Sequence, residues 1–333
     1  MWLLKLGANI TGVSNGILTN PSHYSYLNLK SKIKNKKIDL RNFNKINKLI
    51  KSQRFDYIFH LAAQSLVKES YLDPKNTFEI NAIGTLNILE SLKVVKYKCT
   101  IVLITSDKVY KNFEINRGYH ENDILGGHDP YSASKASAEI IIQSYLKSFL
   151  YSRKNLKIGI ARAGNVLGGG DWSKNRLIPD CMKSWSKNKS VILRSPNSTR
   201  PWQHVLEAIH GYLILAINLK INPKINGEAF NFGPSNKKIR TVISVINIIK
   251  KNWNNVKFKK KKMKRNSQYE SNLLKLNSTK AKKFLKWKSI LTFDETIAMI
   301  TDWYKNFYDK RSKSKNLTYS QISTFEKLLK KRN

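Results

Sequence analysis

Three short apolar runs dominate the first half of the chain, and their alternation with helical patterns leaves few folds open. Residues 56–63 (DYIFHLAA), 99–106 (CTIVLITS) and 157–163 (KIGIARA) are apolar or β-branched, and the first two end in small or polar residues. Such runs are typical of parallel strands buried on both faces. Between them, residues 77–95 and 131–150 place apolar side chains at helical spacing. This βαβαβ order predicts an α/β fold with a doubly wound parallel sheet and right-handed crossovers.

After about residue 168 the texture changes. Gly168-Gly169-Gly170-Asp171-Trp172 reads as a loop, and Pro179, Pro196, Pro201, Pro223 and Pro234 divide the rest of the chain into short segments. A smaller α/β lobe is expected here, interleaved with a strand at 228–233 that returns to the first sheet. Helical patterns recur at 240–253 and 292–308, and from about 309 the chain is polar, then weakly amphipathic. The other end is unusual. Residues 1–13 (MWLLKLGANITGV) read as a helix end, a glycine stop and a strand. A dinucleotide-binding sheet places a strand and a Gly-rich turn ahead of such a helix. No G-x-G-x-x-G or G-x-x-G-x-x-G occurs in the first half of the chain. The expectation is a sheet lacking its first strand, with unpaired strand edges, in an N-terminally truncated chain.

Charge narrows the function less than it first suggests. The 61 Lys+Arg against 22 Asp+Glu give a formal charge of +39, which admits phosphate-bearing partners, nucleic acid among them. Most lysines, however, are scattered singly between apolar residues. The one dense run is Lys257, Lys259, Lys260, Lys261, Lys262, Lys264 and Arg265. The charge therefore reads as compositional background, with no nucleic-acid partner expected. Two cysteines exclude a disulfide framework and a four-Cys zinc site, and the six histidines show no metal spacing. There is no apolar run of membrane-spanning length and no basic leader, so a soluble cytoplasmic protein without membrane association is expected.

The chemistry-bearing motif is Tyr131-Ser132-Ala133-Ser134-Lys135. A Tyr and a Lys at i and i+4 share a helix face. A nearby ammonium favours the phenolate and is expected to lower the Tyr from its usual value, so that it can take a proton from a hydroxyl. Alone the pattern is weak, but it comes after Thr105-Ser106-Asp107-Lys108 at a strand's C-terminal end, where α/β sites are built.

These segments, with HLAAQSLVKESYLDPKNTFEINAIGT (60–85), TSDKVY (105–110), GGHDPYSASKASAE (126–139), RAGNVLGGGDWSKNRLIPD (162–180), RPWQHVLE (200–207) and NFGPSNKKIRTV (231–242), resemble the extended short-chain dehydrogenase/reductase family of NAD-dependent epimerases and dehydratases. The resemblance runs to about residue 308 and is strongest to the branch acting on CDP-glucose, which Ser106-Asp107-Lys108 matches; related sugar-nucleotide dehydratases carry Thr-Asp-Glu there. It implies a Rossmann-like NAD-binding domain at 1–168 with a returning segment near 201–235. It also implies a sugar-nucleotide lobe at 169–200 and 236–308, and a basic tail at 309–333. The implied activity is a lyase converting CDP-glucose to CDP-4-dehydro-6-deoxy-D-glucose through bound NAD, for dideoxy sugars of cell-surface polysaccharide.

By the same resemblance Tyr131 is the base for the C4 hydroxyl and Lys135 supports it. Ser106 binds the C4 oxygen, Asp107 protonates the departing C6 hydroxyl, and Lys108 either takes the C5 proton or stabilises the enolate. Asp39, Leu40, Leu61, Ala62, Ala63, Gln64, Asn81 and Thr105, with Tyr131 and Lys135, are implied around the cofactor. Asn165, Arg176 and Arg200 are implied at the substrate diphosphate. A homodimer through the 77–95 and YxxxK helices is implied as well. His204 is expected to be structural and Cys99 a core residue. Three matters stay open: NAD against NADP, since no acidic residue follows the second strand (Val13-Ser14-Asn15-Gly16); another sugar-nucleotide dehydratase or epimerase; and an inactive or binding-only remnant.

Overall fold

The computed structural model describes residues 1–193, 195–234, 240–260, 273–309 and 316–332. Part of the NFGPSNKKIRTV motif and of the basic run after Lys257 lies outside them. The chain opens with α1 (Trp2–Lys5), ended by Gly7 at φ +79°, then β1 (Thr11–Ser14), α2 (His23–Tyr26), β2 (Lys34–Lys37) and α3 (Phe43–Ser52). Next come β3 (Tyr57–His60), α4 (Val67–Leu72), α5 (Pro74–Phe78) and α6 (Gly84–Leu92), the last two joined through a π-helical turn at Glu79–Ile83. Beyond them lie β4 (Cys99–Ile104), α7 (Pro130–Tyr145) and β5 (Leu156–Ala163).

The central sheet is parallel, in the order β3-β4-β5-β9, with β9 (Ala229–Phe232) returning after the second lobe has begun. β1 and β2 form a separate parallel pair. The three strands read from the apolar runs are β3, β4 and β5, the strand expected at 228–233 is β9, and Ile101, Val102 and Leu103 are fully buried at the centre of the sheet. On one face α3, α6 and α7 pack through Ile46, Leu89, Leu92 and Ile142; on the other, Val102, Leu215, Phe230 and Trp287 meet. Burying each such side chain contributes about 1.5–3 kcal/mol, which explains why unbroken apolar runs sit here. Gly159 of β5 admits Leu215 and Leu219 from the helix across it; a Cβ there would lie 2.9 Å from Leu219.

The second lobe contains β6 (Val166–Leu167), α8 (Leu177–Trp185), β7 (Val191–Leu193) and β8 (Gln203–His204). α9 (Val205–Ile221) leads back to β9 and packs on the sheet, as does α11 (Thr279–Leu285), while α10 (Val242–Asn252), β10 (Phe258–Lys260) and α12 (Phe293–Tyr308) complete the second lobe. Its core is aromatic, with Trp185, Trp202, Trp303 and Tyr304 among its buried members. α13 (Leu317–Arg332), where the sequence shows only weak amphipathicity, is a packed helix. Phe325 is fully buried against Trp2 and Leu206, and Arg332 pairs with Glu295 at 2.7 Å.

Candidate active site

The site is built where β4 ends. Thr105, Ser106 and Asp107 leave the strand buried, and Asp107–Val109 forms one 3-10 turn capped by Ser106. The Ser106 hydroxyl donates to Asp107 Oδ1 at 2.9 Å and accepts the Lys108 N–H at 3.2 Å. Lys108 itself is half-buried at the turn's rim. Gly164 lets the carboxylate approach: a Cβ there would sit 2.9 Å from Asp107 Oδ2.

α7 is aimed at this turn by its own start. Asp129 caps it through the Ser132 N–H at 3.0 Å, Pro130 occupies the first turn, and the Tyr131 N–H donates to Ser70 Oγ at 3.1 Å. Gly127 crosses this first turn so closely that a Cβ would lie 2.3 Å from Ala133 N. Tyr131 and Lys135 are thereby buried at the turn that carries Ser106.

Burial sets the electrostatics. The Tyr131 phenol is pushed up to about 12, chiefly by desolvation, while Ser106 and the Arg176 charge pull the other way. This corrects the expected lowering by Lys135. The Lys135 ammonium is itself desolvated, falling to about 8, and it donates to the Ile104 carbonyl at 3.4 Å. Asp107 is raised by burial, against the opposing charges of Lys108 and Arg200. A carboxyl held towards its protonated form is a proton donor.

The residues expected around a cofactor divide by role. Leu61 and Ala62 are exposed just past β3. Ala63 is half-buried beside them. Gln64 spends its side chain on the loop, bonding the Leu66 N–H, the Leu66 carbonyl and Thr77. Asn81 is buried and ties three segments together: it accepts the Gln64 N–H at 2.8 Å and donates to the Gln64 carbonyl and to Ser134 at 2.9 Å. Thr105 donates to Glu139 at 2.9 Å. Asp39 is held by Arg41 at 2.7 Å, and the Leu40 carbonyl accepts Asn87 at 2.8 Å. His204 caps α9 through the Leu206 N–H, and Cys99 is buried in its strand.

Two arginines approach from the second lobe. Arg176 reaches Ser65 at 3.0 Å and Asp171 at 3.5 Å. The loop carrying Asp171 is pinned by Tyr304, whose hydroxyl donates to the Asp171 carbonyl at 2.6 Å and accepts its N–H at 3.0 Å. Arg200 lines a cavity of about 150 Å³ with Arg240, Trp202, Pro201 and Phe293. Arg240 Nε is buried without a partner among the described residues, and its guanidinium lies 5.1 Å over the Phe293 ring. Asn165 is half-buried nearby, its carbonyl accepting the Gln203 N–H at 3.3 Å.

The sequence did not single out Arg240, Tyr304, Glu139 or Arg162. Glu139 carried a readable signal, since it follows Lys135 by four residues on one helix face, and Arg162 is a charge inside an apolar strand run. Arg240 and Tyr304 carried none.

A family model described as GDP-mannose 4,6 dehydratase matches residues 2–300. CDP-glucose 4,6-dehydratase of Salmonella typhimurium is 37% identical over 309 residues, 92% of this chain and 86% of the relative. UDP-glucose 4-epimerase of Mycoplasma pneumoniae is 26% identical over 77% of this chain and 78% of its own. Among solved structures, UDP-glucose 4-epimerase of Thermotoga maritima superposes with a TM-score of 0.77 at 19% identity, covering 92% of this chain and 94% of the other. dTDP-glucose 4,6-dehydratase of Bacillus anthracis in complex with NAD does so with 0.73 at 21% identity and 91% of each chain.

Proposed function

The chain belongs to the GDP-mannose 4,6-dehydratase family, and from that premise we propose that it is a lyase dehydrating CDP-glucose to CDP-4-dehydro-6-deoxy-D-glucose with bound NAD. The observation that carries this reading is the burial of Ser106, Asp107, Tyr131 and Lys135 together where β4 ends, with Asp107 raised towards its acid form. The choice of CDP-glucose rests on the 37% identity to a CDP-glucose 4,6-dehydratase.

The residues at the strand ends suit the nicotinamide half of a dinucleotide. Lys135 has three N–H donors and one long carbonyl contact among the described residues, leaving donors for ribose hydroxyls. Leu61, Ala62 and Ala63 offer backbone with small or displaceable side chains. With Gln64, Asn81, Thr105, Asp39 and Leu40 they form the proposed cofactor surface.

NAD when bound supplies a hydride acceptor at C4 and later a hydride donor at C6. Tyr131 takes the C4 hydroxyl proton while Ser106 holds the oxygen. Ionisation at neutral pH then needs the extra positive charge that ligands bring, because desolvation alone keeps the phenol protonated. The C4 ketone acidifies C5. Lys108 removes that proton as a base and gives it back to C5 once C6 is reduced, or it stabilises the enolate as a cation while water carries the C5 proton off and back. Asp107 donates its proton to the C6 hydroxyl, which leaves as water. Arg176, Arg200 and Asn165 hold the diphosphate, a task suited to guanidinium forks; Arg240 joins them from the cavity wall. This assigns residues 169–200 and 236–308 to the sugar-nucleotide lobe.

Two further assignments go with this reading. A second copy pairs through the helices at 74–92 and α7, where Ile83 and Ile140 are 46% and 56% exposed. The reaction belongs in the cytoplasm, early in dideoxy-sugar synthesis for surface polysaccharide; both cysteines are free.

Incubation with NAD and, separately, CDP-, dTDP-, GDP- and UDP-glucose tests the reading by detecting the 4-keto product. CDP-glucose is expected to be the preferred substrate, and Tyr131→Phe to lower kcat about 1,000-fold. Absence of product from CDP-glucose, or faster turnover of another sugar nucleotide, overturns it.

A further inference from the structure

Glu139 and Arg162 are among the most deeply buried charged residues in the described part of the chain, paired with side chains 0% and 1% exposed. Glu139 meets the proposed cofactor surface only through Thr105, and Arg162 has no hydrogen bond to it among the described residues. Between them they also bond both ends of one short segment. Glu139 accepts the Thr105 hydroxyl at 2.9 Å, immediately before Ser106. Arg162 donates to the Tyr110 hydroxyl at 2.6 Å, immediately after the 3-10 turn, and lies 4.9 Å over the Tyr110 ring. It also donates to the Glu121 carbonyl at 2.8 Å, while Tyr110 donates to Asn231 of β9 at 2.8 Å.

Glu139 is on α7, eight residues after Tyr131 and four after Lys135, so all three share one helix face. We propose that Glu139 and Arg162 are positioning residues, an ion pair that clamps both ends of the Ser106-Asp107-Lys108 turn to the helix carrying Tyr131 and Lys135. The inference rests on the dehydratase reading for its catalytic consequence. An ordinary stabilising role does not explain the placement, because a dry ion pair gives little stability over apolar residues of similar size. What it gives is geometry: one pair fixes the acid-bearing turn relative to the base-bearing helix, and displacements of about 1 Å in such sites can lower rates about 100-fold.

The test compares Glu139→Met/Arg162→Met, which removes both charges without leaving one unpaired, with the milder Tyr110→Phe. Amide hydrogen exchange over residues 105–110 is read beside kcat and KM for CDP-glucose. The double variant is expected to exchange faster in that segment, with kcat down about 10–100-fold and KM within about threefold. Tyr110→Phe should show the same pattern with a kcat loss of roughly 3–10-fold. Unchanged exchange in folded variants, or faster exchange with wild-type kcat, overturns the inference; if the double variant does not fold, Tyr110→Phe decides by the same criteria. If the wild-type chain does not turn over CDP-glucose, the dehydratase reading fails instead, and the exchange data still judge the clamp.

Discussion

The strand end at β4 and the pair β1–β2 both carry residues assigned to the cofactor, yet they hold them in opposite ways. Around β4 the polar groups are dry: Ser106, Asp107, Lys135, Glu139 and Arg162 are all buried. Beyond β2, Asp39 is about a third exposed and its partner Arg41 more so. Asp107 and Lys135 in the first region are shifted by lost solvation, Asp39 in the second by a surface partner that water and salt screen. Geometry is therefore enforced by the fold at β4 and only suggested by local pairing at β2.

The largest expected break in this comparison is Lys135→Met. Burial holds Lys135 at about 8 against an ordinary 10.5. Below the folded value both states keep the proton, and the native state bears the cost of a dry ammonium. Between the two values the native state releases its proton first, so stability rises with pH. Lys135→Met should therefore stabilise the chain by roughly 3 kcal/mol at pH 7, with the gain fading towards pH 10.5. Urea denaturation across that range checks it, and a gain independent of pH contradicts the contrast between the two regions.

An intermediate effect is expected at Tyr304→Phe. It removes the hydroxyl that satisfies both backbone groups of Asp171, at a cost of about 1 kcal/mol. The loop bearing Arg176 should loosen, raising KM for CDP-glucose about fivefold with kcat unchanged. Steady-state kinetics decide; an equal fall in kcat would place Tyr304 nearer the chemistry. The smallest effect is expected at Asp39→Asn. Loss of its pairing with Arg41 should cost under about 0.5 kcal/mol, and the difference in Tm should vanish in high salt. A larger, salt-insensitive loss would mean that β2 is held as firmly as β4.

The same contrast explains what was legible in the sequence. β3, β4 and β5 are read directly because two-sided burial demands apolar runs, and Ser106, Asp107, Tyr131 and Lys135 because their order along strand and helix is local. β2 is not legible. Lys34, Asn35, Lys36 and Lys37 are all exposed, and the strand exists through its ladder to Thr11–Ser14. The sign of the Tyr131 shift escapes the sequence because i,i+4 spacing reports proximity but not the solvent lost by both groups. The Glu139–Arg162 pair joins α7 to β5 across 23 residues of sequence, and Tyr304 reaches Asp171 across 133; no local pattern encodes such partners.

Trp2 packs edge-on against Phe325 and donates to Glu326, 324 residues further on. At synthesis rates of about 5–20 residues per second, the tryptophan spends roughly 16–65 s outside its final surroundings. During that interval a large apolar ring has no permanent shelter. α13 is thus made long after α1 yet closes over it, and a chain stalled shortly before α13 leaves the Trp2 ring uncovered.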